Sequence, residues 1–421
     1  NYMNTILLKH VALKGKQKDI LIKGNRIAVI ADSIPVNVKR EIDCTGKSVI
    51  PGFINMHTHS AMSLMRGISE DVPLTEWLNN IWAIEKNLQK EQVYWGAKLA
   101  ILEMIKTGTT CFLDMYWMSP QVAQAVEEMG IRAVLTYVFL DHSDTEKAEK
   151  QKSECIRLHG HSESWHKRCK FGVSIHADYT VSPHTMVWAS GFAKENGLIL
   201  NTHMSETEQE VLKDKEKHGK SPVAYYDSLG ILDSNVIAAH ALWLDDEDIE
   251  IFAKRGVTAV HNINSNLKLG SGYRFRYGDL KAAGVNVCLG TDGAASSNNL
   301  DMRESMKTMA LMQKAWTGDT TTLPLNELMD VATINGARAL GIDSGRIEEG
   351  ALADLVLVDT RSEAFVPNIN FESNFIYSAN SSCIDTVICD GNILMEGRKV
   401  AGEEQILEKA DEMAWKLINV K

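Results

Sequence analysis

The chain has 421 residues, 44% of them hydrophobic and 24% charged, with 44 Lys plus Arg against 55 Asp plus Glu. At roughly 150 residues per domain that length allows about two to three domains, or one large α/β barrel with an appendage, and the composition excludes a disordered chain. The net charge of −11 argues against nucleic acid and anionic lipid as partners, since both demand a basic surface.

No uncharged apolar run approaches the roughly 18 residues of a membrane helix, and no secretory signal stands at the start. The seven cysteines, Cys44, Cys111, Cys155, Cys169, Cys288, Cys383 and Cys389, include no CxxC pair. That pattern points to a reducing compartment, the cytoplasm, and to no disulfide framework.

The chain opens with short strand-like segments at Ile6–Leu8, Asp19–Ile22 and Arg26–Ile30. It closes with three more at Asp354–Val358, Thr386–Cys389 and Ile393–Met395. Between these ends, apolar runs of five to eight or nine residues alternate with longer amphipathic segments, the signature of βα units with buried parallel strands. The runs are Val49–Met56, Thr109–Met115, Arg132–Leu140, Phe171–Ala177, Leu198–His203, Val236–Ala241, Val257–His261 and Val285–Gly290. Eight is the count of a (β/α)8 TIM-type barrel. The predicted fold is therefore an α/β barrel over residues 51–349, with a small β-sandwich domain built from both chain ends, 1–50 and 350–421.

Nearly every run ends on a polar side chain: His57 and His59, Asp114, Asp141, His176, His203 and Glu206, His240, His261, Asp292. Barrels of this class carry their active sites on the C-terminal face, built from the strand ends. At the first tip, in Asn55-Met56-His57-Thr58-His59, strand alternation sends the two imidazoles the same way. Alone, such a pair is equally at home in a core or on a surface. With His203 of the fifth run and Asp292 of the eighth, three tips supply three imidazoles and a carboxylate. Such a donor set suits a catalytic divalent metal with a position open to water.

The segments PGFINMHTHS, HALWLD, CLGTDGAASSNNLDM and GRIEEGALADLVLVD, in this order with His203 between the first two, resemble the amidohydrolase superfamily over essentially the whole chain. Within it, the chain is similar to the branch containing 5′-methylthioadenosine and S-adenosylhomocysteine deaminases, with guanine deaminases and triazine hydrolases as relatives. The resemblance implies one divalent metal, zinc or iron, held by His57, His59, His203 and Asp292. Two-metal members place a carbamylated lysine at the end of the fourth strand; here that tip is His176, and Lys170 precedes the strand. A mononuclear site and deamination of an aromatic ring follow.

For such chemistry Asp292 is expected to shuttle the proton of the attacking water, Glu206 to protonate the ring nitrogen, and His240 to hold the water and steady developing charge. His261 is expected beside the ligands rather than among them. Leu74–Leu88 reads as a helix with an apolar stripe at Leu74, Leu78, Ile81 and Leu88, interrupted by Glu85, a carboxylate that needs a partner if buried. The resemblance assigns Glu85 to ribose hydroxyls and His176 to substrate contact. Trp82 and Met62 are candidates to line the base or thioether pocket, but read primarily as core residues. Tyr137 stands where relatives that accept S-adenosylhomocysteine carry arginine, and Asp178 adds an acid beside the expected pocket; both disfavour an anionic substituent.

The expected activity is hydrolytic deamination of an adenosine-like nucleoside (5′-methylthioadenosine, S-adenosylhomocysteine or adenosine) to its inosine analogue. The alternatives are a deaminase or chlorohydrolase of guanine, pterin or triazine rings, and a non-catalytic scaffold. The expected partner is a small molecule, with no nucleic acid and no membrane, and the expected assembly is a homo-oligomer.

Overall fold

The computed structural model describes residues 4–419. Its first strands are β1 (Thr5–Leu13), β2 (Lys16–Lys23), β3 (Arg26–Ala31), β4 (Arg40–Asp43) and β5 (Lys47–Pro51). Lys14 and Gly15 join β1 to β2 with positive φ at both positions, the twist a two-residue hairpin requires. Eight further strands follow: β6 (Phe53–Thr58), β7 (Thr109–Met115), β8 (Arg132–Phe139), β9 (Cys169–Ile175), β10 (Leu200–Met204), β11 (Val236–His240), β12 (Thr258–His261) and β13 (Val287–Leu289). The last are β14 (Leu355–Asp359), β15 (Ile384–Cys389) and β16 (Asn392–Met395).

Strands β6 to β13 pair in sequence order, all parallel. The ring closes where Asp292 N–H donates to the His57 carbonyl at 2.9 Å. Asn55 adds two side-chain bonds across the same seam, to Thr291 Oγ1 at 2.7 Å and from Thr291 N–H at 3.1 Å. β6, β7, β8, β10 and β11 are buried along their whole length, because one face fills the barrel and the other meets the helices. At the N-terminal mouth, helix Ile334–Leu340 packs Ala337 and Leu340 onto Ile54, Met56, Leu113, Val134 and Cys288. The active face is therefore the opposite end.

The chain ends form a second, mixed sheet in the order β16-β15-β14-β5-β1-β2-β3, with β4 also on β1. Strand β1 changes partner along its length, pairing β4 at Ile6–Lys9 and β5 at Ala12. Its strands enclose a core of its own, including Leu8, Ile20, Ile22, Leu355 and Leu357.

The expected first run, Val49–Met56, is in fact two strands in two sheets. Its first half lies in β5 beside β14, and its second half is barrel strand β6. Gly52 is the crossing point: a Cβ there would stand 2.1 Å from Thr110 Oγ1, so only glycine lets the chain pass from one sheet to the other. Arg132, at the start of β8, ties the two sheets by a bidentate pair to Asp354 at 2.9 and 3.0 Å and a third bond to Asp390 at 3.1 Å. The terminal helix Glu403–Ile418 lies against the barrel helix Lys90–Lys106, and its buried Ile406, Ala410, Met413 and Leu417 belong to the barrel's outer core.

Candidate active site

Four strand tips converge on one point. His57, His59 and Asp292 each bring a ligand atom to within 4.8 Å of one another, and so do His57, His203 and His240. Glu206, His240 and Asp292 form a third such group. His57 and His59 meet edge to face at 4.8 Å between ring centroids, yet strand alternation alone is not the cause. The register of β6 shifts between Asn55 and Thr58, and His59 lies one residue past the strand, opening the helical turn Ser60–Met65.

Asp114, at the tip of β7, fixes that irregular segment. Its carboxylate accepts from Thr58 Oγ1 at 2.8 Å, Ser60 N–H at 2.8 Å and Ser60 Oγ at 2.7 Å. His59 Nδ1 bonds to the Met115 carbonyl at 2.7 Å, which turns Nε2 toward Asp292, 3.1 Å away. His240 and Asp292 both hold positive φ, 76° and 60°. For non-glycine residues that strain is worth about 1–3 kcal/mol each and is concentrated at functional sites.

The electrostatics follow from burial. His57 is fully buried and pushed down to about 4 by desolvation, with Asp292 opposing. His203 is held well below the usual range by burial and the surrounding imidazoles. Both are neutral donors. Burial raises Glu206 to about 8, and Asp292 adds to the rise, so it carries a proton at neutral pH. Burial would raise Asp292 too, but His57 and His59 outweigh it and hold it well below the ordinary range. Asn266 Nδ2 donates to His240 Nδ1 at 3.1 Å; this leaves the proton on Nε2, which faces Glu206 Oε2 at 3.6 Å and Asp292 Oδ2 at 3.8 Å. Ser265 Oγ donates to Asp292 Oδ2 at 2.7 Å.

Both nitrogens of buried His57 lack any hydrogen-bond partner. Imidazole nitrogens and an ionised carboxylate aimed at one point fit a divalent metal, although burial of His59 is outweighed by Asp292, which raises that imidazole to about 9, so a metal there would displace its proton. Lys170 lies near the start of β9, exposed, so no lysine reaches this face from the fourth barrel strand.

The cavity over the cluster is lined by His59, Met62, Trp77, Ile81, Trp82, Glu85, Tyr116, His176, His203, Glu206, His240 and Asp292, among others. His176 stands edge-on to His203 at 5.0 Å and bonds through Nδ1 to Thr180 Oγ1 at 2.8 Å. Glu85 ends helix Leu74–Glu85, three residues short of the expected Leu88. A partner for this carboxylate was expected without being identified; it is Tyr116, whose hydroxyl donates to Oε2 at 2.9 Å.

Some expectations fall. Trp82 lines the cavity and is 46% exposed, so its core reading falls, whereas Met62 lines the cavity and also packs against the core. The helix buries Trp77 and Ile81 instead. Tyr137 is buried against Phe139 at 5.2 Å and lines no wall of this cavity. Asp178 is buried and does not line it either; its neighbour Tyr179 does. His261 stays outside the ligand groups and stacks on Phe275 at 4.1 Å. Asp114, Ser265, Asn266 and Tyr116 were not singled out as site residues, although Asp114 was marked as a polar strand tip. The others are common polar residues in loops or helix starts and carry no pattern of their own.

The family model "Amidohydrolase family" matches residues 48–394. The chain belongs to the amidohydrolase family. It is 47% identical over 386 residues to the 5-methylthioadenosine/S-adenosylhomocysteine deaminase of Thermococcus sibiricus, covering 91% of each chain. It is 45% identical over 379 residues to the 5′-deoxyadenosine deaminase of Methanoregula boonei, covering 90% of this chain and 86% of that one. Among solved structures it is similar to a zinc-bound adenosine deaminase from Xanthomonas campestris, with a TM-score of 0.93 and 30% identity over 99% of this chain and 98% of that one. With the donor set described above, membership of the amidohydrolase family assigns a divalent metal to this site.

Proposed function

We propose that this amidohydrolase deaminates an adenosine-like nucleoside by hydrolysis: 5′-methylthioadenosine, 5′-deoxyadenosine, S-adenosylhomocysteine or adenosine. Water adds at the amino-bearing ring carbon, the adjacent ring nitrogen gains a proton, and ammonia leaves with the inosine analogue. The reading is supported by deaminase relatives at 45–47% identity. The observation that carries it is the Glu206 carboxyl set beside His240 and Asp292, in the cluster that gathers the strand-tip imidazoles.

In this reading His57, His59, His203 and Asp292 hold one divalent ion per chain, most simply zinc, as in the solved adenosine deaminase. When bound, such a metal lowers the pKa of water to about 7 and so supplies hydroxide at neutral pH. Asp292 accepts the water's proton and returns it to the departing amine; the Ser265 bond fixes the oxygen that does so. Glu206 gives its proton to the ring nitrogen. His240 directs Nε2–H at the attacking oxygen and is kept in that tautomer by Asn266. Glu85, oriented by Tyr116, accepts from ribose hydroxyls, and His176 contacts the substrate.

The division into a small unit, 1–50 and 350–421, and a barrel, 51–349, belongs to the same proposal, except that helix Glu403–Ile418 packs with the barrel rather than with the small sheet; a homo-oligomeric state belongs to it too. A cytoplasmic location is supported by seven unpaired cysteines, six of them buried. No helix among the described residues is long and apolar enough to cross a membrane.

Ammonia release across 5′-methylthioadenosine, 5′-deoxyadenosine, adenosine, S-adenosylhomocysteine, guanine, pterin and cytosine tests the reading. Turnover of the adenosine set alone supports it; preference for guanine or pterin overturns it.

A further inference from the structure

Behind Glu206, helix Glu208–His218 turns Glu210 and Asp214 inward, four residues apart and both buried. Asp178, from the segment after β9, is buried as well, and its charge acts on both. Its two carboxylate oxygens are enclosed and have no donor, and the same holds for Glu210 Oε1 and Asp214 Oδ2. No lysine or arginine neutralises the three by a salt bridge among the described residues. Like charges gathered this way disfavour ionisation.

The remaining oxygen of Glu210 is engaged. Oε2 accepts the backbone N–H of Glu206 at 2.7 Å, while Thr207 Oγ1 accepts the N–H of Glu210 at 3.1 Å. The exchange resembles a capping box that reaches one residue further back. It closes directly after Ser205, a non-glycine residue at φ 50°, where the chain leaves β10 and turns the Glu206 side chain toward His240. A strained turn persists only where its surroundings hold it.

We propose that Glu210 is a positioning residue for Glu206, anchoring its backbone N–H from within a buried cluster of three carboxyl groups, Glu210, Asp178 and Asp214. The proposal rests on the proton-donor role of Glu206. Burial and Asp178 together raise Glu210 well above the carboxylate range and Asp214 to about 9. A neutral group at 210 that both accepts and donates is therefore what the site needs. Glutamine supplies it: the amide oxygen takes the Glu206 N–H and the NH2 group donates to Asp178.

The test compares kcat, KM and metal content of the holoenzyme with those of Glu210→Gln, Glu210→Leu and Glu206→Gln. Glu210→Leu is expected to keep its metal and its KM while kcat falls about 10²-fold, the scale of a misplaced catalytic group. Glu210→Gln is expected to restore kcat close to wild type. Unchanged kcat in Glu210→Leu overturns the proposal, as does a loss in Glu210→Gln equal to that in Glu210→Leu. Loss of metal from Glu210→Leu overturns it too, because Glu210 then supports the metal site itself. Where Glu210→Leu does not fold, Glu210→Asp decides: its carboxyl is one methylene short of the Glu206 N–H, and a normal kcat overturns the role. Active Glu206→Gln would overturn the proton-donor reading. Inactive Glu206→Gln beside fully active Glu210→Leu would overturn only the positioning role.

Discussion

The amide of Asp292 donates to the carbonyl oxygen of His57 at 2.9 Å, so the bond that closes the barrel also joins two residues of the proposed metal site. Barrel closure and site assembly are one event. The chain should therefore bind one divalent metal, and Asp292→Ala or His57→Ala should abolish binding while the fold persists. Elemental analysis of purified protein checks this; two ions per chain, or a full ion in either variant, contradicts it.

Glu206→Gln removes the transferable proton but not the size of the side chain. Metal content should be unchanged and kcat should fall about 10²–10⁴-fold. Near-normal turnover in that variant would show that the ring nitrogen takes its proton elsewhere.

Glu85 is largely buried and its pKa is raised by that burial, with Tyr116 opposing the rise. Leaving such a group unpaired costs about 1–3 kcal/mol, a factor of about 5 to 150 in kcat/KM. Free adenine should be poorer than its nucleoside by that factor in wild type, and Glu85→Ala should discriminate little between them. Equal use of base and nucleoside by wild type removes Glu85 from ribose binding.

Arg132 is buried with Asp354 and Asp390 between the two sheets, far from the cavity wall. Arg132→Met leaves two uncompensated buried carboxylates, and breaking a buried pair in this way is worth about 3–5 kcal/mol. Denaturant unfolding should show that loss, with kcat of the folded fraction unchanged. A loss below about 1 kcal/mol, the scale of a surface pair, would contradict the assignment.

Burial and Asp178 raise Asp214 from 3.8 to about 9 in the folded state. The folded form holds its proton more tightly than the unfolded form, so stability falls as pH rises between these two values. Asp214→Asn cannot ionise and keeps a donor for Asp178. Its melting temperature should match wild type near pH 4 and exceed it increasingly toward pH 9. An equal difference at all pH values would mean that Asp214 is not the titrating group.

Local pattern was enough to determine the barrel, its eight parallel strands and the polar character of their tips. Buried parallel strands read as continuous apolar runs, and the periodicity changes where the helices begin. The proposed donor set His57, His59, His203 and Asp292 was read on the same ground, since ligands stand at strand ends and strand ends can be counted. Residues that act through contacts distant in sequence were not legible. Gly52 divides one apolar run between two sheets because Thr110 blocks any larger side chain. Tyr116 reaches Glu85 from the segment after the second barrel strand, and Asn266 selects the His240 tautomer from beyond the seventh. Asp178 stands two residues after the cavity-lining His176, yet it is buried outside the cavity, where its charge acts on Glu210 and Asp214. Sequence spacing locates a Cα on a strand tip, whereas side-chain direction is set by backbone φ, register shifts and packing, which exist only once the ring of strands has closed.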